Sequence, residues 1–385
     1  MIQKADRLND VKEYYFSKKL REVAALIQEG KPVVNMAIGS PDLQAPATVV
    51  DALKEAMELE TVHQYQSYQG IPALREGIAN FYSKNYNVFV DPATEILPLM
   101  GSKEGVMHIS MAFLNKGDQV LIPNPGYPTY ASVTKLVEAE PILYNLSAKN
   151  NWLPDFLELE KQDLSKVKIM WINYPHMPTG AVASKEDFEK LISFAKKHHI
   201  LIVNDNPYSF ILNNKPQSIL AIEGAKEVAI ELNSLSKTFN MAGWRVGMVV
   251  GAAEIIKTIL QVKSNMDSGM FLGIQKGAVA ALKLSADWFE AQNVIYEERR
   301  TLVWRIFDAL NCTYNTSIGG LFVWATLPKG ETSEKFTDAL LYEKDVFITP
   351  GTVFGSNGEG YIRASLCVSS AVLEEVLIRL TTNKN

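Results

Sequence analysis

Asn233-Ser234-Leu235-Ser236-Lys237-Thr238-Phe239-Asn240-Met241-Ala242-Gly243-Trp244-Arg245-Val246-Gly247 is the stretch that decides how this chain reads. Two hydroxyls flank a leucine, a lysine follows, and an arginine lies further on. An apolar run from Glu227 to Leu232 leads in, and another from Val246 to Val250 leads out. The pattern predicts a short loop between buried strands for Lys237, where loss of hydration lowers an amine pKa toward neutrality. An amine nucleophile needs such a setting to form a Schiff base with a carbonyl. Ser234, Ser236 and Arg245 are donors suited to a phosphate. Taken singly, such residues are most often no more than a solvated surface lysine or a structural arginine. Together they call for an aldehyde that also carries a phosphate, and pyridoxal 5'-phosphate is such a molecule.

The rest of the composition sets bounds. With 385 residues, 47% apolar and 21% charged, the chain is of ordinary globular make-up and long enough for two or three domain-sized units. A net charge of -5 and a pI near 5.7 give no reason to expect nucleic acid or an anionic membrane as partner. Two cysteines, Cys312 and Cys367, make neither a disulfide framework nor a metal-site spacing, so a reducing compartment and no metal are expected. Met1 to Asp10 is polar, unlike a signal peptide, and no apolar run reaches 18 residues. A cytoplasmic location is the expectation.

Read in order, the chain alternates helix and strand. Leu8 to Gln28 reads as a helix, with a tyrosine pair, Tyr14 and Tyr15, ahead of its apolar stripe. Val33 to Ile38 is extended and ends at Gly39, where a ligand can approach the backbone. Ile96 to Met100 runs into Gly101-Ser102-Lys103-Glu104-Gly105, a strand, a small-residue turn and a helix N-terminus that together suit an anion. Pro123-Asn124-Pro125-Gly126-Tyr127-Pro128 is a rigid turn presenting Tyr127 for stacking on a flat ring. Asp205 follows the apolar run Ile200 to Val203, where open α/β sheets place ligands, and Tyr208 lies just beyond. An aspartate there also reads as a helix or turn cap. Glu297-Glu298-Arg299-Arg300 reads as a solvated helix face. Arg363, inside the strand Tyr361 to Ser365, is costly unless it grips an anion, for which a substrate carboxylate would serve.

Ser-x-Ser-Lys followed by Gly-x-Arg-x-Gly resembles the cofactor-lysine signature of the class I/II aminotransferases, the fold-type I pyridoxal-phosphate enzymes. The similarity runs from about Val33 to Ser365 with the motifs in family order. It implies an α/β fold: a large domain over 45-275 with a mostly parallel seven-stranded sheet, and a smaller α+β domain built from 1-44 and 276-385. Carried over position by position, it makes Lys237, Asp205 and Tyr208 catalytic. Asp205 holds the ring nitrogen, and Tyr208 donates to the ring phenolate. Ser102, Lys103, Tyr127, Ser234, Ser236 and Arg245 complete the cofactor site. Tyr65, five residues before Gly70, would reach the phosphate of a neighbouring subunit, implying a homodimer with shared sites. Gly-Ser-Lys-Glu-Gly, Pro-x-Pro-Gly-Tyr-Pro and Lys-Ser-Asn-x-Asp-Ser-Gly are most similar to the LL-diaminopimelate and alanine-type members. That adds Tyr14, Gly39 and Asn265 to Arg363 as substrate contacts.

One position departs from the family. Where its members read Asn-Pro-Thr-Gly, this chain has Met177-Pro178-Thr179-Gly180, and methionine lacks the amide donor that bonds the ring phenolate. The activity implied is ping-pong transfer of an amino group from an amino acid to 2-oxoglutarate or pyruvate. A pyridoxal-phosphate β-lyase of the same fold is the alternative. A sensor module of a transcription regulator would require an attached DNA-binding domain, and only about 30 residues precede the first core strand.

Overall fold

The computed structural model describes residues 2–11, 13 and 15–382. Its centre is a seven-stranded sheet. In spatial order the strands are Ile96–Leu99, Gly247–Val250, Ala229–Ser234, Leu201–Asp205, Val167–Ile172, Gln119–Asn124 and Glu140–Asn145. The last five run parallel, and Gly247–Val250 is antiparallel to both its neighbours. Apart from the edge strand Glu140–Asn145, these strands are buried on both faces and largely apolar, as parallel sheets are. Alternate residues feed two separate cores. Ile169 and Trp171 point to one, and Met170 and Ile172 to the other.

The helices Ser102–Phe113, Pro128–Leu136 and Ala253–Lys263 cover the first face. Ala47–Met57, Pro72–Tyr86, Lys185–His198 and Leu272–Leu282 cover the second. Beside this body stands a four-stranded antiparallel sheet in the order Thr349–Pro350, Tyr361–Ser365, Phe322–Thr326, Thr313–Tyr314. The N-terminal strand Val34–Asn35 pairs in parallel with Val346–Phe347, which ties the start of the chain to its last third.

Three expectations need correction. Lys237 does not lie in a loop but in a one-turn helix, Leu235–Thr238, capped by the Ser234 hydroxyl, which accepts from the Ser236 N–H at 3.0 Å. The two serines that read as ligand donors thus also form a helix start. The first long helix begins at Tyr15, after a separate 3-10 turn at Asp6–Leu8. The cluster at 297–300 is not all solvated. Arg299 is 3% exposed, and its two terminal nitrogens meet the two carboxylate oxygens of Asp42 at 2.7 and 2.9 Å. It also donates to the Leu366 carbonyl at 3.0 Å. A helix of 24 residues, Ala286–Ala309, has a buried side, and the arginine lies on it.

Candidate active site

A cavity of about 590 Å³ opens between the C-terminal ends of the central strands and the smaller sheet. Lys237 enters it from the one-turn helix, and its Nζ donates to the carbonyl of Gly39. Enclosure pushes the amine pKa down. Arg363 and Arg245 push the same way, while Cys367 and Asp205 oppose. The lysine is therefore biased toward the neutral, nucleophilic amine.

On one side of Lys237 lie the donors of two helix starts. Ser234 and Ser236 share a hydroxyl–hydroxyl hydrogen bond of 2.7 Å. Ser102 and Lys103 open the helix Ser102–Phe113, and Arg245 folds across Gly101. Gly101 has φ +92°, and a Cβ there would stand 2.1 Å from Arg245 Nη2. Arg245 itself sits at φ 56°, a left-handed conformation that an arginine adopts only under constraint from its surroundings. The Lys103 amine is also held below the ordinary lysine range, by loss of hydration and by the charge of Arg245. Two cations, three hydroxyls and a helix N-terminus converge here, with a glycine where a side chain would block them.

On the other side, Asp205 ends the strand Leu201–Asp205 and is 6% exposed. Its Oδ2 accepts from Tyr130 at 2.8 Å, and Oδ1 is buried with no hydrogen-bond partner. Burial pushes this carboxyl up to about 7, against the Tyr130 hydrogen bond and the charge of Lys237. Tyr130 is fixed by stacking on Trp171, with centroids 4.8 Å apart and planes 8° apart. Asn173 follows the adjacent strand, and its amide donates to the backbone carbonyl of Asp205. A buried carboxylate oxygen with nothing to accept from fits the N–H of a ring cation.

Arg363 comes from the smaller sheet and is 4% exposed. Its guanidinium lies 4.0 Å from the Phe322 ring centroid and 4.6 Å from that of Phe354. Nη2 donates to the Ala37 carbonyl at 2.6 Å, and Nη1 to the Met177 sulfur at 3.4 Å. Thus Met177, where the amide donor was missing, lines the cavity as a weak acceptor for the arginine. Its own N–H donates to Asn173 Oδ1 at 2.7 Å. The chain Arg363–Met177–Asn173–Asp205 links the two walls of the site.

Of the residues singled out from the sequence, the cavity gathers Gly39, Ser102, Lys103, Tyr127, Asp205, Tyr208, Ser234, Ser236, Lys237, Arg245 and Arg363. Tyr65, 90% exposed, and Asn265, also exposed, lie outside it. Tyr14 lies outside the described residues. Sequence reasoning missed Tyr130, Asn173, Phe322, Phe354, Ile38 and Leu20 as lining residues. Asn173 had a usable signal. Ile172 pairs with Asn204, so the residues after them, Asn173 and Asp205, end adjacent parallel strands together.

This arrangement defines a site for an anionic, cationic-ring ligand with an amine nucleophile between its two ends. The chain belongs to the aminotransferase class I and II family, which it matches over residues 31–380. It is a transaminase of the fold-type I class, whose members depend on pyridoxal phosphate. It is 41% identical to the LL-diaminopimelate aminotransferase of Dehalococcoides mccartyi over 381 residues, covering 98% of each chain. With the enzyme of the same name from Aquifex aeolicus it shares 38% over 386 residues, covering both chains completely. The solved structure of substrate-bound BacF from Bacillus subtilis superposes with a TM-score of 0.94 at 37% identity, covering 99% of this chain and 97% of that one. Among the described residues, no helix is long and apolar enough to cross a membrane.

Proposed function

We propose that this enzyme binds pyridoxal 5'-phosphate in the cavity and transfers an amino group from an α-amino acid to a 2-oxo acid such as 2-oxoglutarate or pyruvate. The observation that carries this reading is the partnerless Oδ1 of Asp205 in the cavity that also holds Lys237. When bound, the cofactor supplies an electron sink for the pair released at the substrate Cα. Ser102, Ser234, Ser236, Lys103 and Arg245 would hold its phosphate, and Tyr127 would pack on its ring. Asp205 Oδ1 would accept from the ring N–H, whose positive charge would favour the carboxylate that burial alone disfavours. Tyr208 donates its hydroxyl proton toward the ring oxygen. Its pKa is pushed well up by burial and by Asp205, so it stays protonated.

Arg363 holds the substrate carboxylate. The two flanking phenyl rings exclude water from that contact and fix the guanidinium plane. Lys237 Nζ takes the proton from the donor's Cα. It is suited to this because enclosure and the neighbouring arginines bias it toward the neutral amine, and its hydrogen bond to Gly39 fixes where the nitrogen stands. Gly39 leaves no side chain between the lysine and the substrate. A Cβ there would stand 2.3 Å from the Phe322 ring.

We further infer a division into a large unit, 45–275, and a small one from 1–44 and 276–385, supported by the pairing of Val34–Asn35 with Val346–Phe347. We also infer a two-fold homodimer. Its support is the exposure of Tyr65, Tyr68, Met266 and Phe271, on two segments that approach each other where Gly269 meets Gln66. The test of the catalytic assignment is Lys237→Ala. It should lose both transamination and the absorbance of the covalently held cofactor. A link that borohydride still reduces onto the variant protein would refute the assignment.

A further inference from the structure

We propose that the amino donor carries an uncharged, apolar side chain, branched aliphatic or aromatic. This inference rests on the aminotransferase reading and deepens it.

The charged residues lining the cavity, among those described, are Lys103, Asp205, Lys237, Arg245 and Arg363. Each has a task in that reading. Lys103 and Arg245 face the phosphate, Asp205 the ring nitrogen, Arg363 the α-carboxylate, and Lys237 the reacting carbon. Among the described residues, the rings packed against the Arg363 guanidinium are those of phenylalanines. Phe322 and Phe354 sandwich its guanidinium, and Leu20 and Ile38 line the same cavity. A second ionised group brought against these side chains would lose its water and gain no partner. A hydrocarbon side chain would gain by burial at the same place.

The surface expected to reach a second copy's site adds no lysine or arginine free to meet a second carboxylate. His63-Gln64-Tyr65-Gln66-Ser67-Tyr68-Gln69-Gly70 contains no lysine or arginine. Lys263, near Asn265, is fully buried and already engaged. Its Nζ lies 2.9 Å from Asp267 Oδ1 and 3.0 Å from the Tyr68 carbonyl. Across such an interface the neutral Tyr65 and Asn265 are what a partner copy would present. Diaminopimelate, in the relatives' name, carries a second ammonium and a second carboxylate at its far end. Among the described residues lining the cavity, no charged side chain is left over for either one.

The test uses the cofactor-loaded enzyme and two independent readouts. Calorimetry with 3-phenylpropanoate, 4-methylpentanoate and glutarate reads side-chain preference without turnover. Single-turnover absorbance with phenylalanine, leucine and LL-diaminopimelate reads it in the reaction. The apolar monocarboxylates should bind roughly tenfold or more tightly than glutarate, and phenylalanine or leucine should outpace LL-diaminopimelate by a similar factor. Leu20→Arg should reverse the calorimetric ranking toward glutarate. Tighter binding of glutarate by the unsubstituted enzyme, or LL-diaminopimelate as the preferred donor, overturns the proposal, as does a ranking unchanged by Leu20→Arg. If no amino acid reacts at all, the aminotransferase reading itself falls, and the calorimetric ranking alone then decides the side-chain preference.

Discussion

Asp205→Asn should make the cofactor-free protein less sensitive to rising pH. The Asp205 carboxyl is pushed up to about 7 from its ordinary 3.8, chiefly by burial. A carboxyl whose folded pKa is raised binds its proton more tightly in the folded state than in the unfolded one. Its contribution to stability is therefore whole below the unfolded value and falls as pH rises to the folded value. The full span is about three pH units, or about 4 kcal/mol at 1.36 kcal/mol per unit. Between pH 5 and pH 8 about two of those units are crossed, giving about 3 kcal/mol. The asparagine has no such titration. Its oxygen keeps the role of accepting from Tyr130, and any constant cost of the new amide cancels when the two pH values are compared.

The assay is denaturant unfolding of both cofactor-stripped proteins at pH 5 and pH 8. The unsubstituted protein should lose about 3 kcal/mol more than the variant across that interval. Addition of pyridoxal phosphate at pH 8 should return that loss only where Asp205 is present, because a ring N–H⁺ at Oδ1 favours the carboxylate. Parallel pH dependences in the two stripped proteins would mean that Oδ1 finds a partner in solution. The reasoning about the orphaned oxygen would then be wrong.

Gly101→Ala should weaken cofactor binding. The substitution combines a strained φ of +92° with a Cβ 2.1 Å from Arg245, and fluorescence titration should find affinity reduced about tenfold or more. Arg299→Leu should cost about 2–4 kcal/mol in denaturant unfolding, because Asp42 and the Leu366 carbonyl lose their donor together. Equal stability would show that the bidentate pair contributes nothing net. Inactive Lys237→Ala and Tyr65→Ala subunits, mixed under conditions where exchange is demonstrated, should regain part of the activity. No regain after proven exchange would count against shared sites.

The sheet was legible because its strands are buried on both faces. Val167–Ile172, Leu201–Asp205 and Ala229–Ser234 read as short apolar runs whatever surrounds them. Strands that owe their definition to a partner were harder. The strand Glu140–Asn145, at the sheet edge, is exposed or half-buried except at Tyr144 and left no clear pattern. Val34–Asn35 was read as a longer strand than the two residues that find a partner. The cavity-lining residues that sequence singled out stand in motifs with local geometry, such as Asp205 at a strand end and Lys237 after a capping serine. Those it missed, such as Phe322 and Phe354, reach the cavity only through tertiary packing onto Arg363. Arg299 was misread because four charged residues in a row look solvated, while a helix turns one of them inward every three or four positions.

The parallel pairing of residue 34 with residue 346 sets an order of events during synthesis. Every strand of the central sheet lies before residue 251, so that sheet can assemble while the last third of the chain is still on the ribosome. The partner of Val34–Asn35 emerges only near the end. Until then the helix Tyr15–Gln28, which brings Leu20 to the cavity, has no strand to hold the segment that follows it. A chain stopped shortly before residue 346 would keep the Lys237 and Asp205 strands yet leave that wall undocked and lack Arg363. Nascent chains arrested before and after that point should therefore differ in protease resistance at the N-terminal helix, while the central sheet is equally protected in both.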